Sequence, residues 1–236
     1  MTYEAEAKIK EIIQRTYNVK SFRLDVGDVK DFKAGQFMRV SLKAERECKR
    51  YLSISNSPTE KGRIEFTKKI TESDFSELLN SSKPGDLVKI QYPLGKFTLE
   101  DNGNPQKIAF LSGGIGITPI RSITKYVVDK NLGTDIVLVY ANRTINDIAF
   151  MEDFDLMQKQ YSKLKVVHIL SEPAPGFKCR LGRINAEIVK AEIPDYNERK
   201  FFFCGPPPMV EAMKKILSDE LVLAKENIIM ENFVGY

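Results

Sequence analysis

The pattern of hydrophobic and polar residues changes near the middle of the chain. The first hundred residues contain short segments in which apolar and polar positions alternate, as they do in half-buried β-strands. One short helix is predicted over 74–79, and K-P-G-D at 83–86 predicts a turn. Closely spaced strands with turns between them are typical of a small antiparallel barrel. The predicted strands are 5–10, 20–26, 35–42, 63–67 and 87–90.

The second half alternates strands with helices. It follows N-G-N-P at 102–105, which we interpret as a linker. Such alternation predicts βαβ units around a parallel sheet. We therefore predict two domains, an antiparallel β-barrel over 1–101 and a Rossmann-like α/β domain over 102–236. The predicted strands are 108–111, 135–140, 165–170 and 200–204. One predicted helix ends near 131, and two others cover 147–161 and 207–217.

Composition narrows the function classes. The 236 residues are 42% hydrophobic and 29% charged, which suits two globular cores. A net charge of +4 suits an acidic partner but not nucleic acid, which needs a concentrated basic face. We expect no membrane span and no signal peptide. Cys48, Cys179 and Cys204 are too few for a disulfide framework or metal cluster, which favours a cytoplasmic setting without a metal; the only histidine, His168, is predicted to be a sheet residue.

A glycine-rich turn joins the strand at 108–111 to a helical segment. It reads G-G-I-G-I-T-P and contains Gly113, Gly114 and Gly116. Thr118 suits a helix N-cap, and Pro119 suits the first helical turn. Glycines let a ligand approach the backbone, and a helix N-terminus attracts anions. The segment predicts a cradle for a dinucleotide pyrophosphate, although Pro119 replaces the third glycine of G-x-G-x-x-G.

Ordered motifs of the first half resemble those of the ferredoxin–NADP⁺ reductase superfamily. R-Y-L-S-I-S at 50–55 resembles its R-x-Y-S-x-x-S strand, and A-G-Q-F at 34–37 resembles P-G-Q-F. Lys69 and F-S-x-x-L at 75–79 match a lysine followed by F-S-x-x-L. P-L-G-K-F at 93–97 resembles G-P-x-G-x-F. The resemblance implies a flavin-binding barrel.

The second half continues the family's motifs in the same order. The glycine turn matches G-G-x-G-x-T-P, C-G-P-P-P-M at 204–209 matches C-G-P-x-x-M, and E-N-F at 231–233 resembles E-x-F. The resemblance therefore covers nearly the whole chain. It implies FAD, rather than FMN, in the first domain and NADH or NADPH in the second.

The resemblance also implies roles for individual residues. Arg50 and the amides near Phe75 and Ser76 are expected to hold a flavin phosphate. Ser53, Cys204 and Glu231 are expected at the junction where hydride passes between nicotinamide and flavin. The other implied cofactor contacts are Tyr51, Leu52, Lys69, Gly113, Gly114, Gly116, Thr118, Pro119, Arg143, Gly205, Pro206, Met209, Phe233 and Tyr236.

One departure from the family pattern affects the flavin contact. The family's aromatic residue falls two places after the arginine, where this chain has Leu52. Tyr51 is adjacent, but one step along a strand turns a side chain to the opposite face. We expect Leu52 rather than Tyr51 to pack against the flavin ring. Either Phe233 or Tyr236 is expected to cover the flavin face.

The implied activity is electron transfer between NAD(P)H and a one-electron carrier protein, such as an acidic ferredoxin-like protein. Two alternatives stay open. One is a reductase of free flavin or another small molecule, and the other is a non-catalytic electron-relay subunit of a larger complex. The oligomeric state also stays open, with a monomer favoured.

The choice of nucleotide depends on the segment after the third strand of the second domain. NADPH-specific members of the family tend to have Ser-Arg there, whereas this chain has S-E at 171–172. A carboxylate accepts from ribose hydroxyls and repels a 2′-phosphate. Arg143, Lys178 and Arg180 are cations that oppose this argument. We therefore expect NADH to be preferred slightly over NADPH.

Overall fold

The chain forms two compact units. The computed structural model describes residues 1–42, 48–100 and 106–232. The barrel unit contains the described part of 1–99 together with Thr118–Tyr126, and the sheet unit contains the remaining described residues. The predicted boundary between 101 and 102 and the linker at 102–105 lie outside the described residues.

The barrel unit is a six-stranded antiparallel sheet, which confirms the predicted fold of the first half. The sheet order is β4-β3-β6-β1-β2-β5. Ile54, immediately after β4, forms an antiparallel bridge with Phe66 of β5, so the two edge strands meet and the sheet curls. Its elements are β1 (Tyr3–Thr16), β2 (Val19–Asp25), β3 (Phe37–Leu42), β4 (Cys48–Ser53), β5 (Ile64–Lys69), α1 (Asp74–Ser81) and β6 (Leu87–Leu94).

The interior of the curled sheet is apolar. Phe22 of β2 stacks on Phe66 of β5 with their ring centroids 5.0 Å apart, and both rings are fully buried. Phe75 and Leu79 bring the apolar face of α1 into the same cluster. Burial of these large side chains supplies the main stabilising term of this unit.

β1 is longer than the alternation at 5–10 predicted. Its pairing with β2 shifts register between Ile9 and Glu11. Such a bulge places an extra residue in one strand and interrupts the alternation of faces. The strand therefore continues to Thr16 although its simple period ends near residue 10.

The sheet unit is a six-stranded parallel sheet, as predicted for the second half. Its strand order is β10-β9-β8-β7-β11-β12. The sequence did not predict α4, β10 or β12, because these elements are short. Its elements are β7 (Lys107–Gly113), α2 (Ile117–Lys130), β8 (Asp135–Asn142), α3 (Met151–Gln160), β9 (Leu164–Leu170), β10 (Arg180–Leu181), α4 (Ala186–Glu192), β11 (Lys200–Gly205), α5 (Pro207–Lys215) and β12 (Ile228–Asn232).

The starts of two helices differ from prediction. The prediction of Thr118 as an N-cap was wrong, because a 3₁₀ turn at Gly114–Gly116 already sets helical geometry and α2 begins at Ile117. Pro119 does lie in the first turn. α3 begins at Met151 rather than 147, because Asp147 instead completes a capping box with Thr144 around a separate 3₁₀ turn.

The described helices include none that is both long and apolar enough to cross a membrane.

Candidate functional site

A cluster of positive charge lies on β4 and β5 of the barrel unit. The guanidinium carbon of Arg50 lies 5.7 Å from the centre of the Phe75 ring, in a cation–π contact. One Arg50 nitrogen donates to the carbonyl of Lys49 at 2.8 Å. These contacts orient the guanidinium beside the N-terminus of α1, where the helix dipole favours an anion.

Lys68 adds a buried amine to this cluster. Its side chain is only 3% exposed and donates to the carbonyl of Lys69 at 2.8 Å. Burial, together with the charges of Arg50 and Lys69, lowers the pKa of Lys68 to about 8. Buried like charges are costly, so a bound anion would stabilise this arrangement. Lys69, the residue that the sequence motif selected, is exposed.

The first turn of α1 is lined with hydroxyl groups. Ser73 is the N-cap, and its side chain accepts from the amide of Ser76 at 3.4 Å. The buried Ser76 hydroxyl lies 3.1 Å from both the Ser73 and the Thr71 hydroxyls. Donors of this kind at a helix N-terminus suit a phosphate group.

Adjacent side chains near the end of β4 lie on opposite faces of the strand. Leu52 is buried in the barrel core, whereas Tyr51 is 59% exposed on the other face and meets Phe37 edge-on at 5.8 Å. The two side chains thus lie on opposite faces, as strand alternation predicts. Ser53 is buried, and its hydroxyl has no hydrogen-bond partner among the described residues. An unsatisfied buried hydroxyl is costly, and a ligand that bonded to Ser53 would remove this cost.

In the sheet unit, Gly114 and Gly116 have different structural roles. Gly114 has a φ of +52°, and a Cβ built there would meet nothing within 4 Å. A Cβ at Gly116 would lie 2.3 Å from the Cys204 carbonyl oxygen. The missing side chain of Gly116 makes room for β11, and its expected contact with the nucleotide stays a prediction. Gly114 has the open space that a ligand needs.

Cys204 lies beneath the glycine turn. Its side chain is fully buried, and its thiol donates to the Gly116 carbonyl at 3.0 Å. Burial raises the pKa of the thiol, and the nearby charge of Glu231 adds to that shift. The thiol therefore stays protonated and acts as a donor to the turn.

Glu231 is the neighbour of Cys204 across the sheet. The two residues pair in register between β12 and β11. Burial raises the pKa of the Glu231 carboxyl to about 7. This group therefore changes protonation state near neutral pH, a property that suits proton handling as well as hydrogen bonding.

The C-G-P-P-P-M segment packs against the glycine turn. A Cβ built at Gly113 would lie 2.7 Å from the Met209 sulfur, and one at Gly205 would lie 3.1 Å from it. Met209 thus occupies the space that these two glycines leave. Pro206 precedes α5 as its N-cap residue.

Arg143 and Glu172 form an exposed ion pair after β8 and β9. The Arg143 Nε lies 2.7 Å from a Glu172 carboxylate oxygen, and the backbone amide of Glu172 donates to the Arg143 carbonyl at 3.0 Å. Arg180 instead pairs with Glu192 at 2.6 Å. Lys178 is exposed, and Phe233 and Tyr236 lie outside the described residues.

His168 is a residue of β9, as predicted. Its ring centroid lies 5.2 Å from that of Phe177 and 6.1 Å from that of Tyr140. Burial lowers the pKa of its imidazole. The ring therefore packs as a neutral aromatic group.

Two family models account for most of the chain. The oxidoreductase FAD-binding domain matches residues 6–99, and the oxidoreductase NAD-binding domain matches 110–215. The chain belongs to the ferredoxin–NADP⁺ reductase superfamily. It therefore has the FAD-binding and NAD-binding domains of this superfamily, in the order that its motifs predicted.

Individual relatives agree with this assignment. The chain is 31% identical over 219 residues to a glycine betaine monooxygenase reductase subunit of Chromohalobacter salexigens; the match covers 88% of the chain but 58% of the relative. It is 29% identical to NADH-cytochrome b5 reductase 1 of Aspergillus terreus, covering 88% and 74%. The cytochrome b5 reductase domain of Ulva prolifera nitrate reductase has the same fold, with a TM-score of 0.87, 23% identity and 97% of each chain covered.

Proposed function

We propose that this superfamily member is an NAD(P)H-dependent flavoprotein reductase that passes electrons to a carrier protein. The observation that supports this proposal most directly is the cation cluster of the half-buried Arg50 and the buried Lys68 beside the capped N-terminus of α1. It lies within the segment that matches an FAD-binding domain. A flavin phosphate is the anion that such a domain would bring to the cluster.

The barrel unit supplies the proposed flavin contacts. Arg50 and Lys68 neutralise the phosphates, and the Phe75 amide and the Ser76 hydroxyl in the first turn of α1 donate to them. The unsatisfied hydroxyl of Ser53 donates to a polar atom of the flavin ring, and Leu52 contributes apolar contact near it. Lys69 is close enough to act on the pKa of Lys68 and adds to the positive potential from the surface.

The sheet unit supplies the proposed nucleotide contacts. The open space at Gly114 and the start of α2, through Thr118 and Pro119, are assigned to the pyrophosphate. Cys204 maintains the shape of the turn from below. Glu231 is assigned to the nicotinamide end, where its protonation state near pH 7 determines whether it donates or accepts.

FAD supplies the chemistry itself, because it accepts two electrons with a hydride and releases electrons one at a time. The protein's contribution is to bind both cofactors, order the polar groups around them and exclude water.

The exposed ion pair after β8 and β9 favours NADH. Glu172 partly neutralises Arg143, and a carboxylate in this segment would repel a 2′-phosphate. Arg180 is held by Glu192 and is less available to such a phosphate. We expect kcat/KM for NADH to exceed that for NADPH at one ionic strength. A preference for NADPH of more than about tenfold, or roughly 1.4 kcal/mol, would contradict this assignment.

The proposed electron acceptor is an acidic one-electron carrier protein. The net charge of +4 favours association with such a partner. The relatives include a reductase subunit of a monooxygenase and a cytochrome b5 reductase, both named for work with another redox protein. The chain spans 58% of the length of the monooxygenase reductase subunit.

A purified sample tests the proposal directly. We expect a yellow protein with a bound FAD spectrum that bleaches rapidly when NADH is added without oxygen. Flavin that is lost during gel filtration would favour a reductase of free flavin. Tightly held flavin that neither nucleotide bleaches would favour a non-catalytic relay subunit.

A further inference from the structure

The hydroxyl group of Tyr140 contacts the backbone of the glycine turn. Tyr140 lies on β8, pairs in register with Ser112 of β7 and is fully buried. Its hydroxyl donates to the Gly114 carbonyl at 3.1 Å, and the Ala149 carbonyl lies farther away at 3.5 Å. A hydroxyl has one hydrogen to donate, so Gly114 receives the shorter bond.

The ring of Tyr140 is held in place by its neighbours. Its centroid lies 6.5 Å from that of Phe154 and 6.1 Å from that of His168. Phenylalanine would pack on these rings as well, and burying a hydroxyl costs free energy unless it is paired. The Gly114 and Ala149 carbonyls and the Asn142 side chain are the polar groups near this hydroxyl. Burial raises the pKa of the phenol, so the hydroxyl remains a donor at neutral pH.

The carbonyl that Tyr140 contacts begins the turn. The Gly114 oxygen also accepts from the amide of Ile117, the first residue of α2. Its two lone pairs are thus used by the helix start and by Tyr140. Because the peptide is planar and trans, fixing the Gly114 carbonyl toward β8 directs the amide of Ile115 the opposite way.

We propose that Tyr140 is a positioning residue for nucleotide binding. Its hydroxyl fixes the Gly114 carbonyl, and with it the shape of the turn beneath the open space that is assigned to the pyrophosphate. This inference rests on the proposed function, because it assigns the nucleotide to the glycine turn. Tyr140 itself does not touch the nucleotide.

The test compares two Tyr→Phe variants. Tyr161, at the end of α3, donates its hydroxyl to the Thr134 carbonyl at 2.8 Å, away from the turn. Tyr161→Phe therefore removes the same kind of bond from the same unit and is the matched control. The ligands are ADP-ribose, which has the pyrophosphate without the nicotinamide, and NADH.

For Tyr140→Phe we expect ADP-ribose to bind roughly threefold to tenfold more weakly, as the loss of one neutral hydrogen bond predicts. The KM for NADH should rise by the same factor, while the flavin content and the limiting rate of flavin reduction stay unchanged. Tyr161→Phe should lower the melting temperature by a similar amount and leave ADP-ribose binding unchanged.

Two results would overturn the inference and can be distinguished. If the wild-type protein binds ADP-ribose and Tyr140→Phe binds it equally well, Tyr140 is a packing residue only. If both variants lose affinity equally, the effect is one of general stability. A wild-type protein that binds neither ADP-ribose nor NADH would instead refute the proposed function.

Discussion

At the scale of single residues, burial shifts the pKa values of two ionisable side chains. Lys68 and Glu231 are both ionisable, both largely buried, and both have a pKa moved toward neutrality. The adjacent residues Lys69 and Asn232 do not indicate these pKa shifts in the sequence. Each shift makes stability depend on pH, and the two dependences have opposite signs.

Lys68→Met should stabilise the flavin-free protein and weaken FAD binding. In the folded state Lys68 has a pKa of about 8, below its ordinary value of 10.5, so its charge destabilises the fold below pH 8. That penalty is lost as the pH rises from 8 to 10.5. At pH 7 we expect a gain of roughly 1–3 kcal/mol in unfolding free energy and about tenfold to hundredfold weaker FAD binding.

The measurements are urea unfolding of the apoprotein and fluorescence titration with FAD. Lys83→Met, at an exposed lysine, is the control and should change neither quantity. A less stable apoprotein with unaltered FAD affinity would show that Lys68 is not part of the phosphate site.

Glu231→Gln should stabilise the protein above neutral pH. Glu231 has a folded pKa of about 7 and an ordinary value of 4.5. The folded state holds the proton more tightly, so this contribution to stability is fully present below pH 4.5 and is lost as the pH rises through 7. The amide removes this loss, which we expect to be at most about 3 kcal/mol at pH 8.

The check is the difference in unfolding free energy between wild type and Glu231→Gln at pH 5 and pH 8. The difference should appear at pH 8 and be small at pH 5. Equal differences at both values would mean that the carboxyl is ionised throughout this range.

At the scale of elements, the glycine turn between β7 and α2 combines two requirements. Gly116 lets the turn pack on β11, and Gly114 leaves space above it. Both positions are glycine in the motif. Only the surroundings of each missing Cβ show that one glycine is needed for packing and that the other leaves space for a ligand.

Gly116→Ala and Gly114→Ala should therefore have different effects. At Gly116 the added carbon meets a backbone carbonyl, and we expect a loss of about 1–3 kcal/mol in stability. At Gly114 the positive φ costs roughly 1 kcal/mol, but the added carbon enters the space assigned to the pyrophosphate. Urea unfolding and ADP-ribose titration of both variants separate the effects. If Gly114→Ala binds ADP-ribose normally, the pyrophosphate does not lie over that glycine.

At the scale of the whole molecule, α2 follows the glycine turn and contributes residues to the barrel unit. Its segment Thr118–Tyr126 belongs to the barrel unit, although the helix begins in the sheet unit. Arg121 is 5% exposed and pairs with Glu60, while it also donates to the Ser55 carbonyl at 3.2 Å. The adjacent Ser122 hydroxyl donates to the Asn56 carbonyl at 2.7 Å.

Replacing Arg121 alone should lower the unfolding free energy more than replacing Arg121 and Glu60 together. Burial raises the pKa of Glu60, but the hydrogen bond from Arg121 outweighs this and keeps the pKa below its ordinary value. Arg121→Met leaves a buried carboxylate without this partner, and we expect a loss of roughly 3 kcal/mol in unfolding free energy at pH 7. The double variant with Glu60→Gln should recover part of it.

The measurement is a double-mutant cycle by urea unfolding. The loss in Arg121→Met should shrink as the pH falls and Glu60 takes up a proton. Additive effects of the two substitutions would show that the pair does not couple these segments.

The sequence by itself determined the kind of each half and the family. Alternation with period two and alternation of strands with helices depend on local spacing, so the antiparallel and parallel sheets followed from the pattern alone. The motifs then indicated the superfamily, and Leu52 and Tyr51 fell on opposite faces because strand geometry requires it. These properties need no knowledge of distant contacts.

Only the tertiary structure decided which groups meet. The bulge between Ile9 and Glu11, the burial of Lys68 rather than Lys69, and the contact of Gly116 with Cys204 all depend on residues far apart in sequence. The hydrogen bond from Tyr140 to Gly114 joins positions 26 apart, and the Arg121–Glu60 pair joins positions 61 apart. Burial and electrostatic shifts follow from packing, and a linear pattern cannot specify which strand or helix will pack on which.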